Sequence, residues 1–139
     1  MFTRRRFMLP VAAAAAVFLS ASAYAADPIL IGVPSAQSGP VGIADHQDWL
    51  NGVNLAIAEI NADGGVDGRM LETKVVDIDI LTPEGTIAAF QNLTESGAHA
   101  IASAFVLIPQ PAMDVAAASP GIHHSIARKD RHALTFKPD

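Results

Sequence analysis

Polar residues able to hold a small molecule cluster directly after the first predicted strand of the chain. Ser35-Ala36-Gln37-Ser38-Gly39 follows an apolar run, so its hydroxyl, amide and backbone N–H groups would lie at the edge of a sheet. There they could bind the carboxylate or amide of a solute, although a polar loop without a ligand would have the same sequence. No Gly-x-Gly-x-x-Gly and no Gly-x-x-x-x-Gly-Lys-Ser/Thr pattern occurs, which disfavours nucleotide binding.

The histidines do not form a metal-binding pattern. His123 and His124 are adjacent, and adjacent residues of a strand point to opposite faces, so one tetrahedral metal ion cannot bind both without a distorted backbone. The chain contains no cysteine, which excludes a thiolate site and a disulfide scaffold. We expect neither a metal nor a cofactor.

Two patterns could indicate an enzyme, and both are weak. A secreted serine hydrolase needs a serine within Gly-x-Ser-x-Gly, and neither Ser35 nor Ser38 has that context. Asp77 and Asp79 are two residues apart on a predicted strand and could act as paired carboxylates, but a solvated strand end explains them better. The sequence favours binding over catalysis.

Composition and charge limit the partners of the chain. Its 139 residues are 50% apolar, with 9 Lys+Arg against 14 Asp+Glu, which fits one modest domain with a core. Once Arg4, Arg5 and Arg6 are removed with an export signal, six basic residues oppose 14 acidic ones and the formal charge becomes −8. Because such a surface repels phosphate, we expect neither nucleic acid nor an anionic membrane as a partner.

The segment 1–26 has the pattern of an export signal. Its arginines precede an apolar run from Phe7 to Leu19 and the small-residue sequence Ala23-Tyr24-Ala25, the order typical of a cleaved signal peptide. The apolar run is shorter than the ~20 residues of a stable membrane-spanning helix, so we expect no stable membrane anchor. Thr3 to Leu9 also fits the twin-arginine consensus, and export by that route or by the general secretory route stays open. Either route predicts a mature protein outside the cytoplasm.

The mature chain alternates predicted strands and helices. Periodicity predicts strands over 28–34, 70–80 and 98–106, and helices over 46–61, 82–97 and 110–118. This order predicts an α/β fold with an open, doubly wound parallel sheet, which binds ligands at the carboxyl ends of its strands. The stripe predicted to face the sheet from the first helix consists of Trp49, Val53, Ala56, Ile57 and Ile60. Gly64 or Gly65 is predicted to end that helix in a left-handed conformation.

The pattern changes after Gly121. Only Gly121-Ile122 has the character of a fourth strand, and the basic residues Arg128, Lys129, Arg131 and Lys137 then follow closely. We therefore expect residues 27–122 to form the domain and residues 123–139 to form an atypical, disordered tail.

One continuous string is too specific for a generic amphipathic helix. Gly52 to Leu71, reading GVNLAIAEINADGGVDGRML, resembles the first helix and following turn of the periplasmic solute-binding proteins of the branched-chain amino-acid ABC transporter type. Ile29 to Val33 with Ser38-Gly39-Pro40 resembles the opening strand and first binding loop of that family. Gln110 to Val115 resembles its third helix, and the similarity extends over residues 29–122.

The resemblance implies a type I periplasmic binding fold, in which two α/β lobes joined by a hinge close over a small solute. In the family the chain crosses to the second lobe and returns to the first. This chain would supply only the N-terminal part of lobe 1, so we expect a truncated or frame-disrupted product. Its autonomous stability should be poor, because strand edges and apolar faces remain uncovered.

The family's binding residues transfer to this sequence only in part. The first binding loop corresponds to Ser35, Gln37, Ser38 and Gly39, and the segment after the third strand corresponds to Ala104, Phe105 and Val106. Amino-acid binders of the family tend to carry serines in that second segment. Here only main-chain groups and an apolar wall remain, which implies a more apolar or amide-like solute rather than an α-amino acid.

Three hypotheses follow for the function. The first is the solute-binding component of an ABC importer, a noncatalytic leucine-binding-like domain for amino-acid transport. It would capture a small organic solute (amino acid, amide or more apolar analogue) and deliver it to a permease in the inner membrane. The second is a sensory ligand-binding domain of the same fold, and the third is the secreted serine hydrolase.

Overall fold

Strands and helices alternate along the chain in the computed structural model, which describes residues 26–127 and 134–136. The strands are β1 (Ile29–Ser35), β2 (Leu71–Asp77), β3 (Ala100–Ser103), β4 (His123–Ile126) and β5 (Leu134–Phe136), and the helices are α1 (Ile43–Ala62), α2 (Pro83–Glu95) and α3 (Pro109–Ala117). The six predicted elements are all present. The third strand is shorter than predicted, since the chain after Ser103 leaves the sheet as a loop.

The sheet has the doubly wound topology that the sequence predicts. Its strand order is β2-β1-β3-β4-β5, and the first four strands of that order run parallel. Strand β2 lies on one side of β1. The chain then crosses over β1, and β3 lies on the other side of it. Because parallel crossovers are right-handed, α1 covers one face of the sheet while α2 and α3 cover the other.

The main core lies between the sheet and the pair α2 and α3, which pack against each other. Phe90 and Leu93 of α2 are fully buried there, together with Ile101 of β3. Helix α2 begins as predicted, with the Thr82 hydroxyl accepting a hydrogen bond from the Gly85 N–H at 3.1 Å. It approaches β1 closely at Gly32, where an added Cβ would lie 3.1 Å from the Leu93 side chain.

The inner stripe of α1 differs from the prediction. Trp49, Val53 and Ile57 are half-buried, but Ala56 and Ile60 are exposed. The buried residues of this helix are His46 and Leu50, which were not in the predicted stripe. Helix α1 packs against β1 and β2, and no other helix among the described residues shares its face of the sheet, so one side of α1 stays uncovered.

The prediction of a disordered tail is wrong for its first residues. His123–Ile126 forms β4, parallel to β3 with Ala100 opposite His123, and Leu134–Phe136 pairs with β4 in the antiparallel direction. Burial alternates along β4, since His123 is exposed while His124 and Ile126 are buried. This alternation also confirms that the two adjacent histidines point to opposite faces. The rest of the predicted tail, at 128–133 and 137–139, lies outside the described residues, as does the signal segment up to residue 25.

No helix in the described part of the chain combines the length and the apolar character needed to cross a membrane.

Candidate functional site

The carboxyl ends of β1, β2 and β3 lie side by side at one edge of the sheet. In the register of β1 and β2, Ser35 is opposite Asp77, and β3 runs parallel on the other side of β1. The loops that leave these strands therefore begin next to one another. This edge contains both segments that the sequence predicts as binding loops.

The loop after β1 is held by the carboxylate of Asp77. The Gln37 N–H donates to Asp77 Oδ1 at 2.8 Å, the Ser38 N–H donates to the same oxygen at 3.4 Å, and the Ser38 hydroxyl donates to Oδ2. The Ser38 hydroxyl, followed by the Gln37 N–H, lowers the pKa of the Asp77 carboxyl. Three of the donors that the sequence predicts for a solute carboxylate, the Gln37 and Ser38 N–H groups and the Ser38 hydroxyl, are thus already paired within the protein.

Asp79 lies two residues further and holds a different loop. Its carboxylate accepts hydrogen bonds from the Leu81 N–H at 2.9 Å and from the Thr82 hydroxyl at 3.0 Å. Asp77 and Asp79 therefore serve two separate loop structures, and this arrangement does not support the alternative of a paired acid and base.

The segment after β3 provides an apolar wall. Ala104 is buried, and its carbonyl accepts a hydrogen bond from the Ser103 hydroxyl at 2.9 Å. Phe105 and Val106 are half-buried and pack against the main core. Of the predicted residues of the first binding loop, Gln37 and Ser38 are exposed, whereas Ser35 is buried. Ser35 and Ala104 thus lie beneath the surface of the candidate site and do not face solvent.

His46 connects the two loops, and the sequence analysis missed it. Its Nδ1 accepts a hydrogen bond from the Ala36 N–H at 3.1 Å, and its Nε2 lies 3.1 Å from the Phe105 carbonyl oxygen. The ring is fully buried and meets the Phe105 ring edge-on, with 5.1 Å between the centroids. One feature of the sequence could have identified His46. It lies four residues before Leu50, so both residues fall on the same face of α1, the face that is buried.

Other polar clusters do not form a metal site. His99 lies at the opposite edge of the sheet, where its Nδ1 accepts from the Leu30 N–H at 3.1 Å and its Nε2 lies 3.3 Å from Arg69. Within 26–127 and 134–136, no three side chains among histidine, aspartate and glutamate come together in a way that could hold a metal ion.

A shallow groove of about 400 Å³ lies between the outer surfaces of α2 and α3. It is remote from the strand ends, which contribute none of its lining. Its lining combines exposed polar side chains such as Gln91 and Glu95 with the apolar side chains of Ile87 and Val115. We prefer the carboxyl edge as the solute site because three loops converge there, whereas the groove is open to solvent along the helices.

We expect the hydrogen bonds of Asp77 to stabilise the folded protein modestly and in a pH-dependent way. Asp77→Asn should lower the free energy of unfolding at pH 7 by less than about 1 kcal/mol, because the carboxylate is exposed and well screened. Since its folded pKa lies below the ordinary value of 3.8, the contribution is present above pH 3.8 and is lost as the pH falls through the folded pKa.

Urea unfolding of both proteins at pH 7 and at pH 2.5 measures this difference. Glu72→Gln, at the other end of β2, is the matched control and should have a smaller effect. An equal loss in the two variants, or a loss for Asp77→Asn that persists in acid, would contradict the role given to Asp77.

Comparison with known proteins agrees with this arrangement. Residues 28–119 match the sequence profile of the family described as periplasmic binding protein. A protein assigned as a branched-chain amino acid ABC transporter from Silicibacter pomeroyi is similar in structure, with a TM-score of 0.67 and 31% identity. The match covers 73% of this chain and 25% of that protein.

A second solved structure is the substrate-binding protein LivJ of the branched-chain amino acid transporter from Streptococcus pneumoniae, in complex with isoleucine. Its TM-score is 0.55 at 25% identity, and the match covers 73% of this chain and 30% of LivJ. No curated protein matches the chain with significance. The chain thus spans less than a third of the length of these two structural relatives. The sequence profile, the parallel sheet and its strand order together show that the chain belongs to the periplasmic binding protein family.

Proposed function

We propose that this chain is part of the solute-binding component of an ABC importer of the branched-chain amino-acid or amide type. In this proposal the protein captures a small organic solute in the periplasm, performs no catalysis on it, and delivers it to a permease in the inner membrane. The observation that carries the proposal is the family match over residues 28–119, with relatives drawn from branched-chain amino acid transport.

The carboxyl edge supports a solute with an apolar body. Phe105 and Val106 offer apolar surface, and burying that surface against an aliphatic solute stabilises a complex by about 25 cal/mol per Å². LivJ binds isoleucine, whose side chain has this character. The apolar wall is the feature that favours an aliphatic solute over a highly polar one.

The charge of Asp77 restricts which polar groups the solute can carry. The carboxylate is exposed and its pKa is lowered, so it is negatively charged at neutral pH. It repels a solute carboxylate and attracts an ammonium or amide N–H. Because the Gln37 and Ser38 N–H groups already pair with Asp77, we favour an amide or a more apolar analogue over a free α-amino acid as the solute bound by this lobe.

Thermal unfolding in the presence of candidate solutes tests the proposal. The probes are L-leucinamide and L-isoleucine, with L-glutamate as the control that the Asp77 charge should exclude. A solute at about ten times its Kd raises the free energy of unfolding by about 1.4 kcal/mol. We expect stabilisation in the order leucinamide, isoleucine and glutamate, and recovery of the solutes unchanged. Conversion of a solute to a product, or stabilisation by glutamate above the other two, would contradict the proposal.

A further inference from the structure

We propose that His46 is the positioning residue of the solute site. Its neutral imidazole fixes the loop after β1 against the loop after β3, and protonation of the ring releases them and weakens solute binding. The part concerning binding rests on the proposed function, whereas the coupling between the two loops does not depend on it.

The hydrogen bonds of His46 fix its protonation state. The Ala36 N–H can only donate, so Nδ1 must accept, and the Phe105 carbonyl can only accept, so Nε2 must carry the hydrogen. Only the neutral ring with its hydrogen on Nε2 satisfies both partners. The ring is 0% exposed, so water cannot replace either partner without a rearrangement of the loops.

His46 holds backbone groups of both binding segments. Ala36 is directly followed by Gln37 and Ser38, and Phe105 belongs to the apolar wall. The edge-on contact with the Phe105 ring adds a second connection to the same loop. A shift of His46 would therefore move the polar and the apolar side of the site relative to each other.

The surroundings of His46 favour the neutral ring. Burial is the largest influence and lowers its pKa below 6.5, while the backbone carbonyls of Phe105 and Pro34 and the Asp45 carboxylate oppose this shift. From the other described elements, His46 meets the Pro34 carbonyl of β1, Ala36 of the loop after β1, and Phe105 of the loop after β3. None of these three carries a titratable group. The Asp77 carboxylate is paired with Gln37 and Ser38.

Protonation makes the Ala36 contact repulsive. A hydrogen on Nδ1 would face the Ala36 N–H, so two donors would meet and a buried N–H would lose its acceptor. Because the folded pKa is lowered, the unfolded chain takes up the proton first as the pH falls below 6.5. The stabilisation from His46 is therefore complete above pH 6.5 and declines as the pH falls toward the folded pKa.

Two neutral replacements separate the roles of the two ring nitrogens. In His46→Asn the amide oxygen can accept from Ala36 in place of Nδ1, and in His46→Gln the amide nitrogen can donate to Phe105 in place of Nε2. Neither amide titrates. His99→Gln, which changes a histidine at the opposite edge of the sheet, is the matched control.

Nuclear magnetic resonance of the free 139-residue chain tests the coupling. At pH 7.5 we expect the imidazole ¹⁵N shifts of His46 to show the neutral ring with hydrogen on Nε2. As the pH is lowered from 7.5 until the His46 ring signals report protonation, the backbone amide signals of Ala36 and Val106 should move together in the original chain and in His99→Gln. They should stay fixed in His46→Asn. A ring with its hydrogen on Nδ1, or the same movement in His46→Asn, would overturn the proposal.

Binding of L-leucinamide tests the functional part. We expect its affinity to fall roughly tenfold between pH 7.5 and the pH at which the His46 ring signals report protonation in the original chain, as loss of a buried hydrogen bond would produce. In His46→Asn and His46→Gln the affinity should not fall over the same range, because protonation of the leucinamide amine only strengthens its attraction to Asp77. A tenfold fall in all variants would overturn the role of His46 in binding. Absence of leucinamide binding at every pH, with the amide coupling intact, would count against the proposed function and leave the loop coupling supported.

Discussion

Replacing Phe90 with alanine is expected to lower the free energy of unfolding by about 3–5 kcal/mol, as seen for large aromatic residues truncated in a packed core. Phe90 is 0% exposed and lies at the centre of the main core. Its ring stacks on the ring of His124, with centroids 6.1 Å apart and planes 11° apart. The substitution removes core volume and the aromatic partner of a buried histidine at once.

The size of this loss matters because domains of this length are stable by only about 5–15 kcal/mol. Circular dichroism during urea unfolding measures it, and we expect a lower midpoint or a chain already unfolded without urea. Gln91→Ala, the exposed neighbour on the same helix, is the control and should change stability by no more than about 0.5 kcal/mol. Comparable losses in the two variants would show that α2 is not packed on the sheet as described.

The second large effect is expected at Gly65, in the turn that connects α1 to β2. Gly65 has a φ of +77°, and an added Cβ would lie 2.1 Å from the carbonyl oxygen of Arg69. That oxygen accepts the Val66 N–H at 2.9 Å. Gly65→Ala therefore combines left-handed backbone strain with a collision that only a backbone shift can relieve. We expect a loss of about 2–5 kcal/mol.

Gly64→Ala is the matched control for this prediction. Gly64 also has a positive φ, of +98°, but an added Cβ would meet no atom within 4 Å. Only the strain remains, so we expect a loss of about 1–2 kcal/mol. Urea unfolding of the two variants side by side measures the difference. Equal losses, or a larger loss at Gly64, would contradict the geometry of the turn.

The strand and helix pattern was predictable because each element carries its own local signal. Thr82 and Pro83 mark the start of α2, and the left-handed glycines mark the end of α1. The parallel arrangement follows from the alternation of strands with helices, which fixes the crossovers. The pairing of β1 and β3 as parallel neighbours confirms the predicted parallel sheet.

Strand β4 was missed because its buried position carries a polar residue. His124 is 1% exposed, and neither ring nitrogen has a hydrogen-bond partner among the described residues. Burial, with a smaller influence from His123, lowers its pKa. Hydrophobic periodicity counts such a residue as solvated, so the alternation of β4 is visible only once its neighbour β3 and the Phe90 ring are in place.

The contacts of the candidate site were unpredictable for a different reason. The sequence identifies the loop after β1 as rich in donors, but it cannot show that Asp77, 40 residues away, takes up those donors. The same holds for His46, whose two partners lie 10 and 59 residues away. Such pairings depend on the register of β1 with β2 and on the position of α1, which are properties of the folded sheet.

The central claim is that a small solute binds at the carboxyl edge of this sheet. The most direct measurement is a titration of the ¹⁵N-labelled chain with L-leucinamide, followed through its backbone amide signals. We predict saturable shifts at Ser38, Gly39 and Val106, with the signals of Glu95 and Asp114 in the groove between α2 and α3 unchanged. Shifts confined to that groove, or no shift at any leucinamide concentration up to tens of millimolar, would contradict the account.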